Sequence, residues 1–345
     1  MRKISQVEPF LDDAELQNLK ESIDAKWLTE GPKAQAFLDH IKDYTGCEYA
    51  VLAPNGTLGL HLALLSLDLP AGSEVIVPSF TFFGSASSVV FANLTPSFVD
   101  VEADTLNIDP ARIEEAITDN TSAIMPVHCY GHAARMDAIM EIAARRGLKV
   151  IEDAAQGYGV FYKGRHSGTI GDIGVISFFA DKTITMGEGA VVMTNDEARY
   201  KKLRLLRNQG RQHSGTFIHE SLGMNYRLTD MQCGVGLAQA AKFPEVAKHK
   251  AAIHAAYLRE LDGVGDLQFL RIEEGSTFVP FRFCMRTAHK DGIMAKLEEA
   301  GVQTRSFFYP MHQQPPLQHY ALHGQHPVVS EQLYDEGVLL PVHVA

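Results

Sequence analysis

A chain of 345 residues is too long for one small core, and at roughly 150 residues per domain it predicts about two domains. Apolar residues at 46% and charged residues at 21% exclude a disordered or collagen-like protein. The net charge of −11 repels a phosphate backbone, so nucleic acid is not an expected partner.

No apolar run approaches the ~18–20 residues of a membrane helix, and Met1-Arg2-Lys3-Ile4-Ser5-Gln6 has no signal-peptide apolar core, so no membrane association is expected. Cys47, Cys129, Cys233 and Cys284 are scattered and form no C-x-x-C, which reads as reduced thiols in a cytoplasmic protein.

In chain order, Asn55-Gly56-Thr57-Leu58 is a turn that opens an apolar helix. Short runs rich in β-branched residues then predict strands at 74–78, 97–101, 123–127, 149–153, 175–178 and 190–194. Between them, Pro110 opens one helix through Ile113 and Ile117. Another runs from about Ala134 and stops at Gly147. This alternation predicts an α/β fold with a mostly parallel sheet flanked by helices. After about residue 240 the texture changes to a long helix (roughly 245–262), strands near 266–271 and 278–285, a helix at 290–300 and a strand at 303–308. The expected division is a large domain over 1–240 and a smaller α+β domain over 241–345, with the first ~25 residues packing on the small one.

Four segments bear on chemistry. In Ser177-Phe178-Phe179-Ala180-Asp181-Lys182, an apolar strand ends in a serine, and a lysine follows before a Gly187-Glu188-Gly189 turn. A lone loop lysine is ordinarily a solvated surface group, but an ammonium brought to the end of a buried strand is costly unless it is used. Asp153 ends another strand and is followed by Ala154-Ala155-Gln156, which leaves room for something flat. Taken alone, Asp153 reads best as a helix N-cap. Ligands of parallel sheets bind outside the carboxyl ends of strands, so Asp153 and Lys182 are expected to face one cleft. Gly56 and Thr57 open a helix whose free N–H groups form a phosphate cradle in outline. Phe82 leaves a strand and presents an aromatic at its mouth, where core packing is the default reading. An amine, an acid for a ring nitrogen, a phosphate cradle and an aromatic plate are together what pyridoxal 5'-phosphate requires.

As an ordered set, Asn55-Gly56-Thr57, Asp153-Ala154-Ala155-Gln156, Ser177 through Gly189 and Met224-Asn225-Tyr226-Arg227-Leu228 resemble the DegT/DnrJ/EryC1/StrS family of pyridoxal-phosphate sugar aminotransferases. The likeness runs from Trp27-Leu28-Thr29-Glu30-Gly31-Pro32 to Leu340-Pro341 and implies fold type I. It implies that Lys182 holds the cofactor covalently and shuttles protons, Asp153 pairs with the ring nitrogen, Gln156 lies by the phenolic oxygen and Phe82 stacks on the ring. Gly56, Thr57 and Ser177 would hold the phosphate with Asn225 of the partner subunit, in a homodimer with shared active sites. Trp27, Arg227, Tyr309 and His312 would line the substrate cleft. The implied reaction passes an amino group from L-glutamate to a keto-sugar nucleotide, most like members that aminate C4 of a 4-keto-6-deoxyhexose. A dehydratase of the same family carries histidine at the lysine position, and a non-catalytic regulatory relative would be free to lose Lys182 or Asp153; both are present. Two departures stand out: Ala190 replaces a glycine usual in the family, and the sequence stops at Ala345 where relatives usually continue into a helix. No metal site is expected, because His319, His323, His326 and His343 lack carboxylates or cysteines at ligand spacing.

Overall fold

The computed structural model describes residues 3–213, 215, 217–320 and 322–344, so Met1, Arg2 and Ala345 lie outside the described residues. Two helices come first, α1 (Asp13–Asp24) and α2 (Pro32–Thr45). Asp12 caps α1, accepting from the Ala14 N–H at 2.8 Å while Glu15 accepts from the Asp12 N–H at 2.9 Å. Pro32 starts α2, and Gly46, at φ 75°, ends it in the left-handed conformation that glycine adopts without strain.

The main body then alternates: β1 (Tyr49–Ala53), α3 (Gly56–Ser66), β2 (Glu74–Pro78), α4 (Phe83–Phe91), β3 (Thr95–Val99), α5 (Pro110–Ala116), β4 (Thr121–Ile124), α6 (Met136–Arg146) and β5 (Lys149–Asp153). A hairpin of β6 (Phe161–Tyr162) and β7 (Arg165–His166) follows, then β8 (Ile173–Ser177), β9 (Ala190–Thr194) and α7 (Glu197–Arg207). Seven strands form one sheet in the order β1-β9-β8-β5-β4-β2-β3. Strands β8, β5, β4, β2 and β3 pair in parallel, and β9 runs antiparallel to both of its neighbours. All six strands expected between residues 74 and 194 form, displaced by at most two residues at their starts. Apolar clusters cover both faces, one around Phe37, Ile76, Ile139 and Val191, the other around Leu62, Val77, Phe98 and Val175.

The expected helix at 245–262 is the second half of a longer one, α8 (Asp230–Leu261). Pro244 removes one hydrogen bond from it without ending it. Its true start is a capping box, Thr229 with Gln232, and the expected boundary at 240 falls inside it. Beyond it, β10 (Gln268–Phe269), β11 (Phe283–Arg286), α9 (Lys290–Glu299), β12 (Arg305–Ser306), α10 (Val328–Glu336) and β13 (Gly337–Leu340) build an antiparallel sheet ordered β10-β11-β13-β12. Strand β13, which the sequence reading did not foresee, pairs on both sides within it. Phe283, Met285 and Val338 pack there against Tyr257 and Leu258 of α8 and Leu297 of α9. The N-terminal segment joins this region, since the Ile4 N–H donates to Gly301 O at 2.8 Å and Ile4 O accepts from Gln303 at 2.9 Å. A third cluster, with Phe80, Tyr130, Phe281 and Phe307, fills the space between the two sheets.

Candidate active site

A cleft of about 670 Å³ opens at the carboxyl ends of β2, β5 and β8, with residues of the small sheet as its far wall. Open α/β sheets place ligands there because helix N-termini and strand-end side chains converge at that edge. Gly56, Thr57, Phe82, Asp153, Gln156, Ser177 and Lys182 all line it.

Asp153 is the last residue of β5 and is 4% exposed. One carboxylate oxygen accepts from the Ala155 N–H at 3.0 Å, the other from Ser85 Oγ at 2.7 Å, and Thr81 Oγ1 lies 2.9 Å from that serine hydroxyl. The aspartate is thus fixed in orientation from two sides. Its neighbour Glu152 points the opposite way on the strand and takes His128 Nε2 at 2.9 Å and the N–H groups of Gly168, Ile170 and Gly171. That buried network pins the strand end carrying Asp153.

Gln156 follows in the loop after β5. Its side-chain oxygen accepts from the Tyr130 N–H at 2.6 Å, which leaves the amide NH₂ to donate elsewhere. Tyr130 holds that N–H in place from a left-handed backbone, φ 53°, and its ring stacks on Phe308 at 5.4 Å. Phe82 caps the N-terminus of α4 and is 62% exposed at the cleft mouth. An aromatic that open has no core to serve, so the default reading of core packing does not apply to it.

Helix α3 begins at Gly56 with Asn55 as N-cap, accepting from the Leu58 N–H at 3.0 Å. The N–H groups of Gly56 and Thr57, at the first turn, have no partner within the helix. Ser177 at the end of β8 faces them: a Cβ on Gly56 would lie 3.0 Å from Ser177 Cβ and 3.2 Å from its Oγ. A side chain at residue 56 would push helix start and hydroxyl apart by a few tenths of an ångström. Ala190, the departure noted in the sequence, begins β9 fully buried beside Gly59 of α3 and pairs across the sheet with Ser177.

Lys182 lies in the turn after β8, with Nζ 3.6 Å from Asp181 Oδ1 and 4.9 Å from the Phe281 ring centre. Burial holds its amine below the ordinary lysine range and Arg282 pushes the same way, against the opposing pull of Asp181 and Asp153. More of it is therefore a free amine, the form that attacks carbonyls and accepts protons. These residues fit pyridoxal phosphate: an amine, a carboxylate fixed by two donors, an amide donor, an open aromatic face and unpartnered N–H groups beside a hydroxyl.

The other expected residues lie outside this cleft. Asn225 is exposed in the segment between α7 and α8, beside Leu222 at 97% and Met224 at 56% exposure. Arg227 reaches Asn208 at 2.9 Å, and Trp27 is exposed with its indole N–H on Glu30 O at 2.8 Å. Tyr309 is exposed and edge-on to Tyr334. His312 is buried, bonded to Ser79 Oγ at 2.6 Å and Glu331 at 3.0 Å. His326 reaches the same Glu331 oxygen at 2.8 Å, and one ligating atom from each of these three residues lies within 4.8 Å of the others. The sequence reading had no carboxylate for these histidines; Glu331 arrives from the first turn of α10 and bonds both. Ser85, Thr81, Arg282 and Arg305 were not foreseen at all.

The fold and the site define a fold type I pyridoxal-phosphate enzyme. The model of the DegT/DnrJ/EryC1/StrS aminotransferase family matches residues 9–345, and the chain belongs to that family. It is a pyridoxal-phosphate-dependent aminotransferase. It is similar to GDP-perosamine synthase of Caulobacter vibrioides, 37% identical over 352 residues, covering 99% of this chain and 93% of that one. It is also similar to GDP-perosamine synthase of Escherichia coli O157:H7, 35% identical over 343 residues, 99% and 93% covered. The X-ray structure of S. venezuelae DesV superposes with a TM-score of 0.92 at 32% identity, covering 98% of this chain and 94% of DesV. Among the described residues, no helix is long and apolar enough to cross a membrane.

Proposed function

We propose that this aminotransferase moves the amino group of L-glutamate onto a keto-sugar nucleotide, with a 4-keto-6-deoxyhexose as the acceptor sugar. The observation that carries the reading is the convergence of Lys182, Asp153, Gln156 and the open end of α3 on one cleft. The synthases similar to this chain over nearly its whole length, named for GDP-perosamine, support the sugar nucleotide.

When bound, pyridoxal phosphate supplies a carbonyl for covalent attachment and a ring that takes up the electron pair left when a proton departs from carbon. Gly56, Thr57 and Ser177 would hold the phosphate, and Phe82 would cover one ring face. Asp153, positioned by Ser85 and the Ala155 N–H, would hold the proton on the ring nitrogen. Gln156 would donate its free NH₂ to the phenolic oxygen. Lys182 Nζ takes the proton from the donor carbon and, in the second half of the cycle, returns one to the sugar carbon that receives nitrogen. Lysine at this position is also what sets the reading apart from a dehydratase, and the intact Lys182 and Asp153 set it apart from a regulatory protein.

Asn225 lies outside its own cleft and reaches a phosphate only in a partner subunit. Its neighbours Leu222 and Met224, and Phe217 at 91% exposure, give that segment an apolar surface to bury. We therefore assign a homodimer with shared sites. Trp27, Arg227 and Tyr309 belong to its substrate-facing rim, and His312 holds that rim in place. Residues 1–240 are assigned to the large cofactor-binding domain and 241–345 to the small one, with the first ~25 residues on the latter. Free, buried cysteines accord with a cytoplasmic enzyme.

The test is a panel of GDP-, UDP- and dTDP-linked 4-keto and 3-keto sugars offered with L-glutamate. Glutamate should bleach the yellow holoenzyme, and one 4-keto-6-deoxyhexose nucleotide should restore the colour with release of an amino-sugar. Bleaching with no keto-sugar able to restore the colour would overturn the acceptor assignment.

A further inference from the structure

We infer that His312, His326 and Glu331 form a site for a divalent transition metal, zinc(II) being the ion their donors suit. None of the three lines the cofactor cleft, and the reaction proposed above uses none of them as a reacting group.

The three come from separate turns: His312 from a 3₁₀ turn at Met311–Gln313, His326 from the approach to α10, and Glu331 from the first turn of that helix. Glu331 Oε1 lies 3.0 Å from His312 Nε2 and 2.8 Å from His326 Nε2, and one ligating atom of each residue is within 4.8 Å of the other two. Tetrahedral zinc, with bonds of about 2.0–2.1 Å, holds its ligand atoms about 3.3 Å apart. The two imidazoles therefore close by at most about 1.5 Å, within reach of the exposed His326 side chain. Ser79 Oγ lies 2.6 Å from Nδ1 of the buried His312. A serine hydroxyl donates or accepts, so that bond survives the move of the imidazole proton from Nε2 to Nδ1 that metal binding requires. Asp100 holds the Val329 and Ser330 N–H groups at 2.7 and 2.8 Å and adds its negative charge beside His312. The exposed ring of His326 leaves an entry path and a fourth coordination position for water.

A hydrogen-bonded strut between His312 and Glu331 would be the ordinary reading, but the donors are distributed wrongly for it. Gln313 Nε2 also donates to Glu331 Oε1, at 2.6 Å, so three N–H groups crowd one carboxylate oxygen while Oε2 takes none among the described residues. Each carboxylate oxygen offers about two lone-pair sites. A cation replaces two of the three donors and turns both imidazole lone pairs inward, which relieves the crowding. Ser79, His312 and Glu331 also stand in the order hydroxyl, imidazole, carboxylate of a nucleophilic triad, but Ser79 is fully buried and no substrate reaches it. Two imidazoles with one carboxylate suit zinc, whereas magnesium and calcium want a shell of oxygens. Zinc here would tie α10 to the 3₁₀ turn. The Met311 N–H on Ser79 O at 2.8 Å carries that link to the end of β2, from which the chain runs to Thr81 and Phe82 of the cleft.

Untagged pyridoxal-phosphate holoenzyme, stripped with EDTA and desalted, is titrated with ZnCl₂ by calorimetry, and its unfolding midpoint is measured with and without zinc. The parent should take up about one Zn²⁺ per chain with a Kd of about 10⁻⁶ M or tighter, and zinc should raise its midpoint. His326→Ala and Glu331→Gln should each weaken that binding by about 100-fold or more and abolish the rise in midpoint. Ser79→Ala, which removes only the support of His312, should weaken it by about 10- to 100-fold. Mg²⁺ should not compete. His326, being exposed, decides the matter if the Glu331 or Ser79 variant does not fold. No zinc binding by the parent tighter than about 10⁻⁴ M, parental zinc affinity in His326→Ala, or competition by equimolar Mg²⁺ would each overturn the inference. Parental affinity in His326→Ala would place the bound ion elsewhere, with the three side chains left as a hydrogen-bonded strut.

Discussion

The approach of Gly56 to Ser177 makes the phosphate cradle sensitive to a single methyl group. A Cβ at residue 56 would sit 3.0 Å from Ser177 Cβ and 3.2 Å from Ser177 Oγ, so Gly56→Ala must lift the start of α3 by a few tenths of an ångström or turn the hydroxyl away. Either movement separates the N–H groups of α3 from Ser177, the donors assigned to the same phosphate. Losing one hydrogen bond to a charged group costs about 1.5–3 kcal/mol, which is about 10- to 150-fold in affinity. Alanine is meanwhile the better helix former by up to about 1 kcal/mol, so the chain itself should be no less stable. The prediction is weakened cofactor affinity at an unchanged unfolding midpoint, measured by titrating apoprotein with pyridoxal phosphate and by urea denaturation. Gly59→Ala is the counterpart, because its Cβ would meet Val175 Cγ1 at 2.8 Å in the apolar core. That overpacking should lower the unfolding midpoint, by about 1–3 kcal/mol in stability, without acting on the cradle directly. Gly56→Ala binding pyridoxal phosphate within twofold of the parent would refute the cradle.

Other residues carry predictions of their own. Lys182→Ala should still bind pyridoxal phosphate but lose at least ~10²–10⁴-fold in turnover, the usual cost of removing a positioned general base; turnover within tenfold of the parent would sink the assignment. Mixing Asn225→Ala and Lys182→Ala subunits should rebuild one intact site per heterodimer, with activity above either parent, and no rescue in mixed dimers would argue against a shared site. Ser85→Ala removes the 2.7 Å donor to Asp153 and should slow single-turnover bleaching by about tenfold or more; an unchanged rate would show that Asp153 needs no such support. Lys250, buried with its amine on Val342 O at 2.6 Å, has its pKa pushed down to about 7 by burial first and by Arg282. The folded chain thus holds that proton less readily than the unfolded one, so stability should rise by about 1.4 kcal/mol per pH unit from about pH 7 towards the ordinary lysine range. Lys250→Met should lose that part of the slope in urea midpoints taken between pH 7 and 9, and identical slopes would refute it.

What the sequence shows of this protein, and what it hides, follows from distance along the chain. Asp153, Gln156, Ser177 and Lys182 were legible because each lies at or just after the end of a short buried strand, where a polar residue breaks an apolar run. Ser85 and Thr81 carry no such mark. They sit at the opening of an apolar helix, where small hydroxyl residues are common, and only the fold brings them under Asp153. Glu331 is five residues past His326 and nineteen past His312, a spacing that suggests nothing until α10 turns its first residues back towards β2. The change of texture near residue 240 misled in the opposite sense, because the helix starts ten residues earlier at the Thr229–Gln232 capping box. The two arginines are the sharpest case. Arg282 lies 100 residues beyond Lys182 and Arg305 another 23, each in a strand pattern where a lone arginine reads as an outward-facing surface group. In the fold the small sheet turns them towards the cleft that holds Lys182. An antiparallel sheet set against the carboxyl edge of a parallel one adds a wall whose chemistry can vary without disturbing the residues assigned to the cofactor. Such an architecture lets cofactor motifs stay readable in sequence while substrate choice is written in residues that are not.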